Sequence, residues 1–237
     1  MKNAIVIISG GIDSTVASYY LKNRLKYDNL KFLLFDYGQR SLREEEFCCK
    51  ENAKKLNAEF RKIELSWLGD ISASIINKER NFQETTEKDL EDEKKDISSW
   101  WVPCRNAVFL INALAYAESE FIKTKEDQDL VIGLINEGRI HMKDTTEKFM
   151  KKINSLAKES TNEGNFNILA PLIELDKTEV IKLGQELNVP FGLTYSCYLG
   201  NRFQNNSLMH CGKCLSCMLR KKGFYWAGVE DPTFYKQ

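Results

Sequence analysis

The residues best equipped for chemistry come early, in Ser9-Gly10-Gly11-Ile12-Asp13-Ser14. They follow the apolar run Ala4-Ile5-Val6-Ile7-Ile8 and precede Thr15 to Leu21, where apolar residues recur at helical spacing, so the segment reads as strand, tight turn and helix start. Two glycines let the backbone turn sharply and approach a ligand closely. The free N–H groups at a helix start, reinforced by the helix dipole, then attract an anion. Ser9 and Ser14 add hydroxyl donors, and Asp13 adds a carboxylate that would repel phosphate unless a cation lay between, which implies Mg²⁺. A lone Gly-Gly would be only a turn, and Ser or Asp alone only a helix cap. The full set directly after a buried strand points to a phosphate site.

A second constellation is Cys197, Cys211, Cys214 and Cys217, spaced Cys-x13-Cys-x2-Cys-x2-Cys. The last three stand at three-residue steps, and Gly212 relaxes the backbone so that their sulfurs can converge on one ion. Four thiolates form a closed tetrahedral shell, the composition of a structural zinc, and such a site contributes on the order of 10–16 kcal/mol of apparent binding free energy to folding. Lys213, Arg220, Lys221 and Lys222 would offset its charge. Cys48, Cys49 and Cys104 have no comparable spacing. Of the two histidines, His210 could compete as a ligand and His141 is a candidate base, while no Ser-His-Asp arrangement points to a hydrolase.

The elements that must position these residues alternate. A helix over roughly 13 to 26 leads to a buried strand, Leu30 to Phe35, ending at Asp36-Tyr37-Gly38-Gln39-Arg40. A half-buried helix over 41 to 57 and a strand from Phe60 to Leu65 follow. This alternation predicts a doubly wound, mostly parallel α/β sheet, with ligands at the strand ends. Residues 78 to 99 carry mixed charge and almost no apolar residue; they read as a solvated loop, equally consistent with a mobile lid and a passive insertion. Asn106 opens an Ala- and Leu-rich helix, Asp129 to Ile135 reads as a core strand, residues 145 to 160 as a helix, Phe166 to Leu172 as extended, and Asp176 as the cap of a further helix. The expected organisation is an α/β domain over 1–190 and a cysteine-bearing region over 191–237 packed on it.

Composition narrows the classes. Lys plus Arg and Asp plus Glu number 34 each, so no overall basic field gathers nucleic acid. No apolar stretch is long enough for a membrane span, and a signal peptide is not expected. An odd cysteine count with four crowded near the C-terminus favours metal over disulfides and a reducing, cytoplasmic compartment.

Ser-Gly-Gly-x-Asp-Ser resembles the pyrophosphate loop of the ATP-pyrophosphatase family rather than a Walker loop, which implies ATP bound by residues 9 to 14 on an adenine nucleotide alpha hydrolase-like fold. With Phe35-Asp36-Tyr37-Gly38-Gln39-Arg40, Val102-Pro103-x-Arg105-Asn106, Cys197-Tyr198 and Cys211-Gly212-x-Cys214-x2-Cys217-x2-Arg220 following in order, nearly the whole chain resembles the 7-cyano-7-deazaguanine synthases. That resemblance implies a carbon–nitrogen ligase using ATP, Mg²⁺ and a structural Zn²⁺. It would adenylate the carboxylate of 7-carboxy-7-deazaguanine for attack by ammonia, giving amide and then nitrile, and it would commonly act as a homodimer. Carried over residue by residue, Asp13, Ser14 and Arg105 would be catalytic. ATP would meet Ser9, Gly10, Gly11, Asp13, Ser14, Tyr37, Gly38, Gln39 and Arg40, and the base would meet Asn106, Gly133 and Asp144.

One run departs from that pattern. Where the family usually has Ser-Gly-Tyr-Pro-Asp-Cys-Arg, this chain reads Gly138-Arg139-Ile140-His141-Met142-Lys143-Asp144-Thr145-Thr146, with Asp144 alone in register. Asp144 therefore reads either as a base-binding carboxylate or as the cap of a helix beginning near Thr145, and Asn106 either as a cap or as a substrate ligand. The departure leaves open a diverged relative, for example in antiviral defence, that joins the activated base to an amine of a partner protein. A tRNA-modifying enzyme of the same superfamily and a binding module without chemistry fit the neutral charge and the retained Ser9, Asp13 and Arg105 less well.

Overall fold

The computed structural model describes residues 1–79, 84–85, 99–136, 142–200, 203–204 and 207–236. Five strands, β1 (Asn3–Ile7), β2 (Asn29–Asp36), β3 (Glu59–Glu64), β4 (Asp129–Ile132) and β5 (Ile168–Leu169), form one parallel sheet in the order β3-β2-β1-β4-β5. The central strands are apolar on both faces, as a sheet covered by helices on both sides requires. Register sorts them into two cores. Val6 lies across from Phe32 and Val131, and these face α1 (Ile12–Asn23) and part of α2 (Leu42–Leu56). Ile7 lies across from Leu33 and Ile132. These, with Phe35, pack against α4 (Arg105–Thr124) and α5 (Glu147–Ser160). A short helix, α3 (Ser66–Ile71), follows β3.

Strand order reverses between β1 and β4, so the two connections leave the sheet on opposite faces and open a crevice at the strands' carboxyl ends. The doubly wound α/β architecture expected from the sequence is therefore the one observed. Boundaries differ where burial and pairing part company. Leu134 and Ile135 are buried like strand residues, yet β4 leaves the ladder at Ile132, because the chain there crosses the first turn of α1. Among the described residues, the extended stretch from Phe166 pairs in the sheet only at Ile168–Leu169. Of the charged stretch at 78 to 99, residues 80–83 and 86–98 lie outside the described residues; Thr85 donates its N–H to the Lys213 carbonyl, and Lys213 pairs with Glu84.

Past α6 (Lys177–Glu186) the chain forms a small sheet, with β6 (Phe203–Gln204) antiparallel to β7 (Ser207–His210) and β8 (Phe234–Tyr235) parallel to β7. A final helix, α7 (Leu215–Ala227), packs on α6. Cys197, Leu199, Cys211, Cys214 and Cys217 belong to the same apolar core as Ile7 and Phe35. Among the described residues, no helix is long and apolar enough to cross a membrane.

Candidate active site

The crevice holds a cavity of about 260 Å³ whose floor is the turn from β1 into α1. Gly10 has φ +70°, a conformation that disfavours side chains, and a Cβ there would stand 2.8 Å from the Glu45 carbonyl oxygen. Gly11 caps α1 without any side-chain bond to the helix, leaving first-turn N–H groups toward the cavity. The two serines brace the loop: Ser9 N–H donates to Ser14 Oγ at 3.2 Å, the two hydroxyls lie 3.2 Å apart, and Gly11 N–H donates to Ser9 Oγ at 3.4 Å. Gly133 lets β4 run directly beneath this turn, since a Cβ there would fall 2.7 Å from both Cα and N of Ser14.

Asp13 projects from the first turn of α1 toward α6. Lys177 Nζ meets it at 2.9 Å from Oδ1 and 2.8 Å from Oδ2, with the two side chains 19% and 24% exposed. Asp176 holds the start of α6 by a capping box with Glu179, which fixes where Lys177 leaves the helix. An ammonium from the chain itself therefore stands beside this carboxylate.

The opposite wall comes from the end of β2 and the start of α4. Gln39 is a clip: its amide donates to the Phe35 carbonyl and to Glu45 Oε2, both at 2.9 Å, and its oxygen accepts from Tyr37 N–H. Arg105 follows Cys104, which has φ 54°, and donates from Nη1 to Tyr37 Oη at 3.4 Å. Burial pushes the Tyr37 hydroxyl up to about 12, so it stays protonated beside the guanidinium. Asn106 Nδ2 reaches the Asp144 carbonyl at 3.4 Å; it lies inside the first turn of α4 and is not its cap. The Asp144 carboxyl is pushed above the usual range by burial, with the Arg105 charge pulling the other way. Nor is Asp144 a helix cap: α5 begins at Glu147, and Thr146 Oγ1 accepts from Phe149 N–H at 3.1 Å.

Behind the cavity, the sulfurs of Cys197, Cys211, Cys214 and Cys217 are buried and lie within 4.8 Å of one another. Zinc–sulfur bonds of about 2.3 Å in a tetrahedron put sulfurs about 3.8 Å apart. Cys211 and Cys217 stand at 3.8 Å, and Lys213 and Cys214 N–H groups point at Cys211 Sγ from 3.4 and 3.2 Å. The donor set and spacing fit a tetrahedral thiophilic ion. His210 is not part of it, because its Nε2 accepts from Ser196 N–H at 2.9 Å. Arg220, expected to offset the thiolate charge, instead binds Asp231, Thr194 Oγ1, Ser196 Oγ and the Phe191 carbonyl.

Residues 3–228 match the model of the queuosine biosynthesis protein QueC family. The chain belongs to that family. It is 36% identical over 237 residues to the 7-cyano-7-deazaguanine synthase of Methanosphaera stadtmanae, covering 99% of this chain and 98% of the relative. To the enzyme of the same name from Methanobrevibacter smithii it is 34% identical over 239 residues, covering 100% and 99%. Among solved structures, the U34-tRNA thiolase NcsA from Methanococcus maripaludis with its 4Fe–4S cluster aligns at 17% identity and a TM-score of 0.49, over 94% of this chain and 63% of that one, a likeness too loose to carry an argument.

Of the sites inferred from the QueC-like sequence, Ser9, Gly11, Asp13, Ser14, Tyr37, Gln39, Arg105, Asn106 and Gly133 line one cavity. Gly10, Gly38, Arg40 and Asp144 do not: Gly10 forms the turn beneath the cavity, Asp144 lies between the lining residues Met142 and Thr145, and Arg40 donates its N–H to the Ile76 carbonyl, with its guanidinium 3.9 Å from Glu79. Met142 and Thr145 line the cavity beside Asp144, while residues 137–141, including His141, lie outside the described residues. Sequence reasoning missed Lys177 and Glu45. Lys177 had a signal, since a lysine in the first turn opposes the helix dipole and needs another reason to be there.

Proposed function

We propose that the chain is an ATP-dependent ligase that adenylates the carboxylate of 7-carboxy-7-deazaguanine and passes the acyl group to ammonia, giving the amide and, by a second activation, the nitrile. The curated relatives' shared name, 7-cyano-7-deazaguanine synthase, supports this substrate class. The observation that carries the chemistry is the Asp13–Lys177 pair at the mouth of the phosphate loop, facing Arg105 across one cavity. A carboxylate resists nucleophiles because it is anionic and would expel oxide. Bound as an acyl-adenylate it is neutral at carbon and expels AMP. The charge that gathers on phosphorus during transfer calls for fixed donors and cations, and the loop N–H groups, Ser14, Lys177 and Arg105 supply them.

In this reading the pyrophosphate of ATP rests on residues 9 to 14, with Lys177 shared between Asp13 and phosphate. A carboxylate has about four lone-pair positions, so Asp13 can serve Lys177 and a Mg²⁺ ion together. Bound Mg²⁺ would neutralise phosphate charge. Arg105 would clamp the activated carboxylate or its phosphate, and Asn106, Gly133 and Asp144 would border the base. Zinc on the four cysteines, all within 191–237, would fix the fold of that region behind the cavity without touching substrate. Incubation with Mg·ATP, 7-carboxy-7-deazaguanine and ammonium, followed by mass spectrometry, tests the proposal: amide and nitrile should appear with AMP and pyrophosphate. ATP binding without AMP release would end it.

A further inference from the structure

Glu45 lines the same cavity from the first turn of α2, and nothing in the phosphate or base readings uses it. Its carboxylate is held from behind: Ser41 Oγ donates to Oε1 at 2.6 Å and Gln39 Nε2 to Oε2 at 2.9 Å. Both donors are neutral, and among the described residues no lysine or arginine forms an ion pair with it. Of about four lone-pair positions, two are taken, leaving two for a ligand. Phe35, Ile76 and Phe109 also line the cavity, so the carboxylate shares a partly apolar surround where a small cation gains more from pairing than it would in water.

We propose that Glu45 is the nucleophile site of this cavity: its carboxylate binds an ammonium ion and takes one proton from it, releasing ammonia next to the activated carboxylate. This deepens the ligase reading above and rests on it. Ammonium has no lone pair and cannot attack; transfer of one proton to Glu45 frees it. The nitrogen then forms the C–N bond as the C–O bond to the adenylate breaks. The nitrogen's surplus proton leaves with AMP, and Glu45 returns its own proton to solvent. Burial raises the Glu45 carboxyl above its usual range, against the pull of Ser41, Gln39 and Arg105, which makes it a better proton acceptor than an exposed glutamate. The titratable and charged groups around it are Arg105 on α4, Tyr37 at the end of β2, and Glu44, Cys48 and Cys49 on its own helix.

The test compares two nucleophiles on the full-length enzyme with Mg·ATP and 7-carboxy-7-deazaguanine: ammonium chloride, which must lose a proton, and hydroxylamine, which is already neutral at pH 7. Glu45→Gln keeps an oxygen toward the Ser41 hydroxyl but cannot take a proton. The ratio of ammonium-dependent amide to hydroxamate should fall at least tenfold, with a raised KM for ammonium, and should recover as pH rises and free ammonia accumulates. Where Glu45→Gln does not fold, Glu45→Asp should give the same change to a smaller extent. An unchanged ratio, whether both rates hold or both fall together, overturns the proposal, because Glu45 would then only brace the turn. If the parent enzyme forms neither AMP nor hydroxamate, the ligase reading fails first and this inference with it.

Discussion

The backbone N–H of Tyr195 donates to the carbonyl of Gly10 at 2.8 Å, joining the cysteine-bearing region to the phosphate loop by a direct hydrogen bond. Tyr195 also packs on His210, with ring centroids 4.5 Å apart and the rings tilted by 41°, and Ser196 N–H donates to the same histidine; Ser196 directly precedes Cys197, and His210 directly precedes Cys211. Loss of metal should therefore reach ATP. Cys214→Ser, or chelation of the parent chain, should lower metal content and weaken ATP binding about tenfold, or about 1.4 kcal/mol. Calorimetric ATP titration beside metal analysis checks this. Undiminished ATP affinity in metal-free, folded protein would show the two parts to be independent.

Lys177 and Asp13 should behave as one unit. Lys177→Met leaves a carboxylate facing phosphate with its cation removed, and the rate of pyrophosphate release should fall on the order of a hundredfold, the usual worth of a preorganised charge at a transition state. Lys177→Arg should recover part of it. Asp13→Ala should lose at least as much, and the double variant should be little worse than either single, since residues acting together are non-additive. A Lys177→Met enzyme within a few-fold of the parent would mean that the pair is structural only.

Arg220 is 1% exposed, and its charge is matched by Asp231. Asp231→Ala would strand a buried guanidinium and should cost about 3–5 kcal/mol of folding stability, measured by denaturant unfolding, without removing a metal ligand. The Asp231 carboxyl sits below its usual range: burial alone would raise it, and Arg220, Tyr235 and Thr233 together overcome that. A carboxyl depressed in the fold binds fewer protons than in the unfolded chain. Its contribution is therefore present above an unfolded value of about 3.9 and is lost as pH falls through the lower, folded value. The parent should lose stability over that acid range more steeply than Asp231→Asn.

Much of the site could be read from order and spacing, because both the phosphate loop and the cysteine cluster are local. Ser9 to Ser14 form one turn, and Cys211, Cys214 and Cys217 one short arc. The β1–α1–β2–α2–β3 half followed for the same reason, since apolar periodicity reports burial within a single element. What escaped depends on distant chain segments. Asp13 and Lys177 are 164 residues apart and meet only because α6 packs on α1. Gln39 carries a family motif but spends its amide on the β2–α2 turn, a contest for hydrogen bonds that composition does not reveal. Leu134 and Ile135 look like strand because they are buried, and burial does not distinguish a ladder from a covered loop.

Asp144 is where the two sequence readings, base-binding carboxylate or helix cap, now diverge in a measurable way. Thr146, not Asp144, accepts the N–H of the α5 first turn, so Thr146→Ala should cost about 1 kcal/mol of stability, the usual worth of a lost cap. Asp144→Asn should cost less than about 0.5 kcal/mol. Burial outweighs the pull of Arg105 and raises the Asp144 carboxyl above its usual range, so ionisation of this group adds no stability to the fold. The same substitution should weaken binding of the carboxy-deazaguanine by about 1.5–3 kcal/mol, the worth of a hydrogen bond to a charged group, and leave ATP binding as it was. Thermal unfolding of both variants, with substrate titrations on each, separates the roles. If Asp144→Asn is destabilised as much as Thr146→Ala and binds the base normally, Asp144 belongs to the scaffold and the base is held by the residues that line the cavity.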